Sequence, residues 1–130
     1  MKKAFTLSEL LISTTVFVIG IVGILSLYTN SKFLSMYSNE LTTATADAQT
    51  VLESIKSMSL SDIIANKDSS SYWNGLVSNK TLSSESIVVE NTNTSDTSWS
   101  NDPLGLRVRI QWNYLGTQKN VEMVTKITDL

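Results

Sequence analysis

Residues 5–31 read FTLSELLISTTVFVIGIVGILSLYTNS, and this stretch decides the architecture. After Glu9 no charged residue occurs until Lys32. Wound as an α-helix at about 1.5 Å per residue, that gap covers roughly 33 Å, enough for a hydrocarbon core about 30 Å thick. Val16, Phe17, Val18, Ile19, Ile21, Val22, Ile24 and Leu25 make it apolar on every face. Ser13, Thr14 and Thr15 interrupt the run, but their hydroxyls can bond back to helix carbonyls. Met1, Lys2, Lys3 and Ala4 form a basic flank, which favours the cytoplasmic side and puts the rest of the chain across the membrane. A cleaved secretory signal fits less well. The apolar run exceeds the signal core of about 7–15 residues, and no small-x-small cleavage site follows it. A plain membrane anchor fits the composition equally well.

Outward from this segment, composition narrows the function classes. The chain has 130 residues and a formal net charge of -2, too small to suggest electrostatic capture of nucleic acid or of an acidic membrane surface. It contains no cysteine and no histidine. A disulfide framework, thiolate metal sites, a cysteine nucleophile and a histidine base are thereby excluded, and the expectation is a protein that is not an enzyme and holds no cofactor.

Glu9 is the informative residue. A carboxylate at the mouth of a membrane helix is unfavourable, by about 2.5–3.5 kcal/mol at the centre and less near the edge. It calls for a cationic partner, and the nearby cations are Lys2, Lys3 or, after a cut before Phe5, a new α-amine at Phe5. A local role competes: Thr6-x-x-Glu9 has capping-box spacing, and an acid in the first turn suits the helix dipole.

Ala4-Phe5-Thr6-Leu7-Ser8-Glu9-Leu10-Leu11-Ile12 resembles the prepilin cleavage and methylation motif of type IV pilins and type II secretion pseudopilins. The resemblance implies that a prepilin peptidase cuts between Ala4 and Phe5 and methylates the new amine on Phe5, with Glu9 at the family's acidic position. Residues 1–4 would then be a leader, 5–31 a transmembrane and assembly helix, and 32–130 an amphipathic helix with a globular domain. It implies a single-pass protein of the inner (cytoplasmic) membrane, with its N-terminus cytoplasmic, that moves into an extracytoplasmic filament. Its partners would be other pilin or pseudopilin subunits and the inner-membrane assembly platform. The family usually has Gly where this chain has Ala4. Many members also carry a helix-bending Pro, whereas here Gly20 and Gly23 are the only weak points. In a staggered bundle the Phe5 amine would sit against a neighbour's Glu9. At about 4 Å and an effective dielectric near 20 the pair is attracted by about 4 kcal/mol, and a wrong register leaves the acid unpaired.

The helix is expected to run on from about Thr6 to about Met58. Leu34, Tyr37, Leu41, Ala44, Ala48, Val51, Ile55 and Met58 recur three and four apart, one stripe of a helix, and no Pro or Gly occurs between Gly23 and Gly75. Ser59 to Ser71 reads as turn and loop, with Tyr72 and Trp73 anchoring it to the domain. Ser86 to Glu90 is a short strand candidate, and Asn91 to Asp102 a polar loop.

The clearest β pattern comes last. Leu106, Val108, Ile110, Trp112 and Tyr114 alternate with Arg107, Arg109, Gln111 and Asn113, and Val121, Met123, Thr125 and Ile127 alternate with Glu122, Val124 and Lys126. A two-residue turn at Gly116-Thr117 predicts Trp112 opposite Val121, Ile110 opposite Met123 and Val108 opposite Thr125, with the apolar face over the helix stripe. The same register sets Arg107 opposite Lys126, with Arg109 nearby, either a solvated sheet face or a small anion or DNA contact. Asp96, Asp102 and Asp129 lack the spacing of a calcium loop. These closing segments, from Arg107 to Trp112 and from Val121 to Thr125, resemble the last strands of PilV-type minor pilins and I-type pseudopilins.

The expectation is therefore an α+β subunit, a long N-terminal helix on a small antiparallel sheet, acting as a minor pilin or pseudopilin in pilus biogenesis, secretion or DNA uptake. The alternative is an unprocessed, membrane-anchored binding or adhesion domain.

Overall fold

The computed structural model describes residues 6–92, 99 and 103–128. The chain divides into two units, residues 1–38 and 39–130. Helix α1 runs Leu7–Ser57. In the first unit its apolar residues from Leu7 to Met36 are exposed, and the segment is long and apolar enough to cross a membrane. Its hydroxyls bond inward: Thr15 Oγ1 donates to the Leu11 carbonyl at 2.8 Å and Ser26 Oγ to the Val22 carbonyl at 3.0 Å. These bonds satisfy hydroxyl groups on an otherwise apolar helix surface.

In the second unit α1 turns amphipathic. Ala44, Ala48, Val51 and Ile55 are fully buried. The buried part of the expected stripe thus begins at Ala44, and Leu34 is 70% exposed. The connection from Ser59 onward is helical rather than loop. Helices α2 (Leu60–Ala65) and α3 (Ser70–Gly75) each start on a serine cap. Ser59 Oγ accepts from the Asp62 amide at 3.2 Å, and Ser69 Oγ accepts from the Tyr72 amide at 3.3 Å. Serine and aspartate serve turns and N-caps by the same side-chain-to-backbone bond, so the turn signal is equally a helix-start signal. Trp73 is buried as the anchor, edge-on to Tyr72 at a centroid distance of 5.1 Å.

Three antiparallel strands follow, β1 (Ser86–Asn91), β2 (Leu104–Tyr114) and β3 (Thr117–Ile127), in the order β1-β2-β3. Strand β2 is central and alternates strictly: Leu104, Leu106, Val108, Ile110 and Trp112 are buried, joined by Ile87 and Val89 of β1. This face and the Ala44–Ile55 stripe form the core, with Ile63 and Trp73 closing it.

The hairpin register differs from expectation by two residues. The turn is Leu115-Gly116, so Ile110 faces Val121, Val108 faces Met123 and Trp112 faces Lys119. Leu115 (φ 50) and Gly116 (φ 79) both have positive φ, the geometry of a type I′ turn. A two-residue shift keeps every side chain on its own face, which is why hydrophobic alternation alone does not choose between the two registers. Cross-strand charge does. The observed register sets Arg109 against Glu122, whereas the expected one sets Arg107 against Lys126.

Candidate functional site

The site read from sequence lies at the start of α1. Ala4 and Phe5, the expected cleavage and methylation positions, lie outside the described residues, as do Lys2 and Lys3. Glu9 is described, and it forms the carboxylate half of a capping box. Its Oε2 accepts from the Thr6 amide at 3.1 Å and from Thr6 Oγ1 at 2.9 Å. The Glu9 carbonyl accepts from Ser13 Oγ at 2.8 Å, and the Leu10 amide donates to the Thr6 carbonyl at 3.2 Å. Glu9 thus satisfies the Thr6 amide, which a helix start leaves without an intrahelical partner, while Thr6 Oγ1 donates to the carboxylate. Glu9 is exposed, at the head of the apolar run rather than within it.

The second candidate, a basic patch on the outer sheet face, is replaced by an ion-pair ladder. Arg107 stands opposite Val124, and Lys126 opposite Gly105. Arg109 lies between two acids: its Nε donates to Glu122 Oε1 at 2.7 Å, and its Nη2 is 3.3 Å from Glu90 Oε2. Arg107 Nε is 3.7 Å from Glu122 Oε2, an ion pair beyond hydrogen-bond distance. Glu90, Arg109, Glu122 and Arg107 thus form one row in which the two arginines are already paired with acids, which leaves them less available to a phosphate backbone.

Asp96, Asp102 and Asp129 lie outside the described residues. Among the described residues no group of three or more acidic, histidine or cysteine side chains could hold a metal ion.

Three features escaped the sequence reading. Trp112 Nε1 donates to Glu40 Oε2 at 2.9 Å, tying α1 to the buried end of β2. Asn74 Oδ1 accepts from both Lys80 Nζ and the Ile87 amide, so α3 caps the outer edge of β1. Near the hairpin end, Ser84, Ser86, Gln111, Trp112, Asn113, Gly116 and Gln118 line a hollow of about 310 Å³ with no charged side chain. None carries a sequence signal, because each depends on how separate elements pack together.

No family model, curated protein or solved structure matches the chain.

Proposed function

We propose that this chain is a minor pilin or pseudopilin subunit, processed by a prepilin peptidase between Ala4 and Phe5 and built into a type IV pilus-like filament through its N-terminal helix. The observation that carries the reading is Glu9 at the head of an exposed, uncharged helical run that precedes a small α+β domain. The capping box supplies the state before assembly. Thr6 holds the carboxylate while the subunit waits in the membrane. In the filament the amine of a neighbour's Phe5 takes over part of that role, and the acid then reports correct register.

Intact-mass measurement of the native protein tests processing. A mature N-terminus at Phe5 carrying one added methyl group is expected, and a retained Met1–Ala4 leader sinks the proposal. Glu9→Ala tests the acid: cleavage is expected to continue while incorporation into sheared filaments drops several-fold. Normal incorporation would reduce Glu9 to a helix cap.

The uncharged hollow at the hairpin end favours a second reading, a membrane-anchored binding or adhesion domain that is never processed. Its amides and hydroxyls suit a neutral, hydrogen-bonding ligand. A retained leader together with surface binding abolished by Asn113→Leu would support this reading over the first.

A further inference from the structure

Strand β3 is an edge with nothing beside it among the described residues. The ladder fixes which of its backbone groups are unused. The Thr92 amide donates to the Gly105 carbonyl, so odd-numbered residues of β2 bond to β1 and even-numbered ones to β3. Residues of β3 facing even-numbered β2 partners are Thr117, Lys119, Val121, Met123, Thr125 and Ile127. The N–H and C=O groups of Gln118, Asn120, Glu122, Val124 and Lys126 therefore point away from the sheet. The β1 edge is managed differently, since the Asn74 side chain caps the Ile87 amide. Among the described residues nothing comparable covers β3, an eleven-residue strand, and such an edge is a template for pairing with another strand.

We infer that this edge pairs with the same edge of a second copy of the chain, antiparallel, about a two-fold axis at Val124. Three observations select that occupant and that register. Glu122 and Lys126 carry opposite charges two residues either side of Val124. An axis at Val124 sets each Glu122 opposite the second copy's Lys126, and no other antiparallel register does so. Val124 itself is 60% exposed among the otherwise polar outward residues of β3, and at the axis the two valines cover each other. On the inner face the same axis sets Val121 opposite Ile127 and Met123 opposite Thr125, all only half-buried in one chain. Pairing makes these residues the centre of a continuous apolar face. An edge guarded by lysine alone would repel its copy, whereas alternating sign makes this one self-complementary. The backbone groups of Glu122, Val124 and Lys126 all take part, with the Val124 pair at the centre. The contact rests on the strand's geometry and its side chains and does not depend on processing or on Glu9.

The chain has no cysteine, which makes single-cysteine variants unambiguous. Full-length protein in detergent micelles carrying Val124→Cys is expected to form several-fold more disulfide dimer under mild oxidation than Leu115→Cys, which is 69% exposed at the turn. Glu122→Cys mixed with Lys126→Cys is expected to give cross-linked heterodimer, and either variant alone almost none. Val124→Lys, which sets two like charges at the axis, should convert dimer to monomer by light scattering with an unchanged circular dichroism spectrum. Equal cross-linking of Val124→Cys and Leu115→Cys overturns the inference. So does a Glu122→Cys and Lys126→Cys mixture that fails to cross-link, or a Val124→Lys protein that keeps the wild-type mass.

Discussion

At the scale of single residues, Glu40 and Trp112 show how a buried aromatic keeps its polar atom satisfied. Trp112 is 1% exposed, and its indole N–H would be orphaned without the carboxylate 2.9 Å away. A hydrogen bond to a charged group is worth about 1.5–3 kcal/mol, and leaving the buried donor unpaired forfeits it. Glu40→Ala is therefore expected to destabilise the domain by about 2 kcal/mol, and Glu40→Gln by less, because the amide oxygen can still accept. Chemical denaturation followed by tryptophan fluorescence measures both. Equal losses for the two variants would mean that neither packing nor a neutral acceptor suffices and that the Trp112 indole needs the charged carboxylate. Glu9 differs in kind. Its partner in one chain is its own helix start, so its loss leaves the domain core untouched.

Among the elements, the β2–β3 hairpin holds the most evident local conflict. A type I′ turn needs positive φ at both central residues, and Leu115 is a poor choice for the first of them. Non-glycine residues there cost about 1–2 kcal/mol, least for Asn and Asp. Leu115→Asn is expected to raise stability by about 1 kcal/mol, read as a shift in denaturation midpoint with unchanged slope. A neutral or destabilising result would mean that the exposed leucine side chain makes a contact that offsets the backbone strain. The turn tolerates Leu115 because the strands on either side favour this register through the Arg109–Glu122 pair and the buried partners of β2. Helices α2 and α3 carry a related lesson. Six residues each is too short for a helix to persist by propensity, so the serine caps start them, and burial of Ile63 and Trp73 holds them.

For the molecule as a whole, stability should depend on pH through two acids at the margin of the core. Burial pushes the Asp47 carboxyl above its usual range, with Lys80 pulling the other way. Burial raises Glu85 too, the charge of Asp47 adds to the rise, and the Leu82 amide and Lys80 oppose it. Asp47 Oδ2 and both Glu85 carboxylate oxygens are buried with no partner at hydrogen-bond geometry, so the Leu82 amide opposes the rise from nearby without forming a full hydrogen bond. A raised folded-state value means that the folded chain binds protons more readily than the unfolded one. Stability from these groups therefore falls as pH rises from about 4, the unfolded carboxylate range, through the raised values. The penalty is fully present at neutral pH. Glu85→Gln is expected to be more stable than wild type at pH 7, by less than about 1 kcal/mol because partial exposure screens the charge. The advantage should vanish as pH falls toward 4, and thermal melts across that range measure it. An advantage that grows on acidification would contradict the assignment.

The long uncharged run, the amphipathic stripe through Ala44, Ala48, Val51 and Ile55, and the in–out alternation of β2 and β3 were all legible in the chain, because periods of 3.6 and 2 residues are local properties of a backbone. So was the capping pair Thr6 and Glu9, three residues apart. The turn position, the Glu40–Trp112 bond, the Arg109 held between two acids and the place of β3 at the sheet edge were not. A two-residue slip preserves the alternation, so the register had to be settled by which charges meet across the strands. A bond spanning α1 and β2 exists only once the chain has folded the two together.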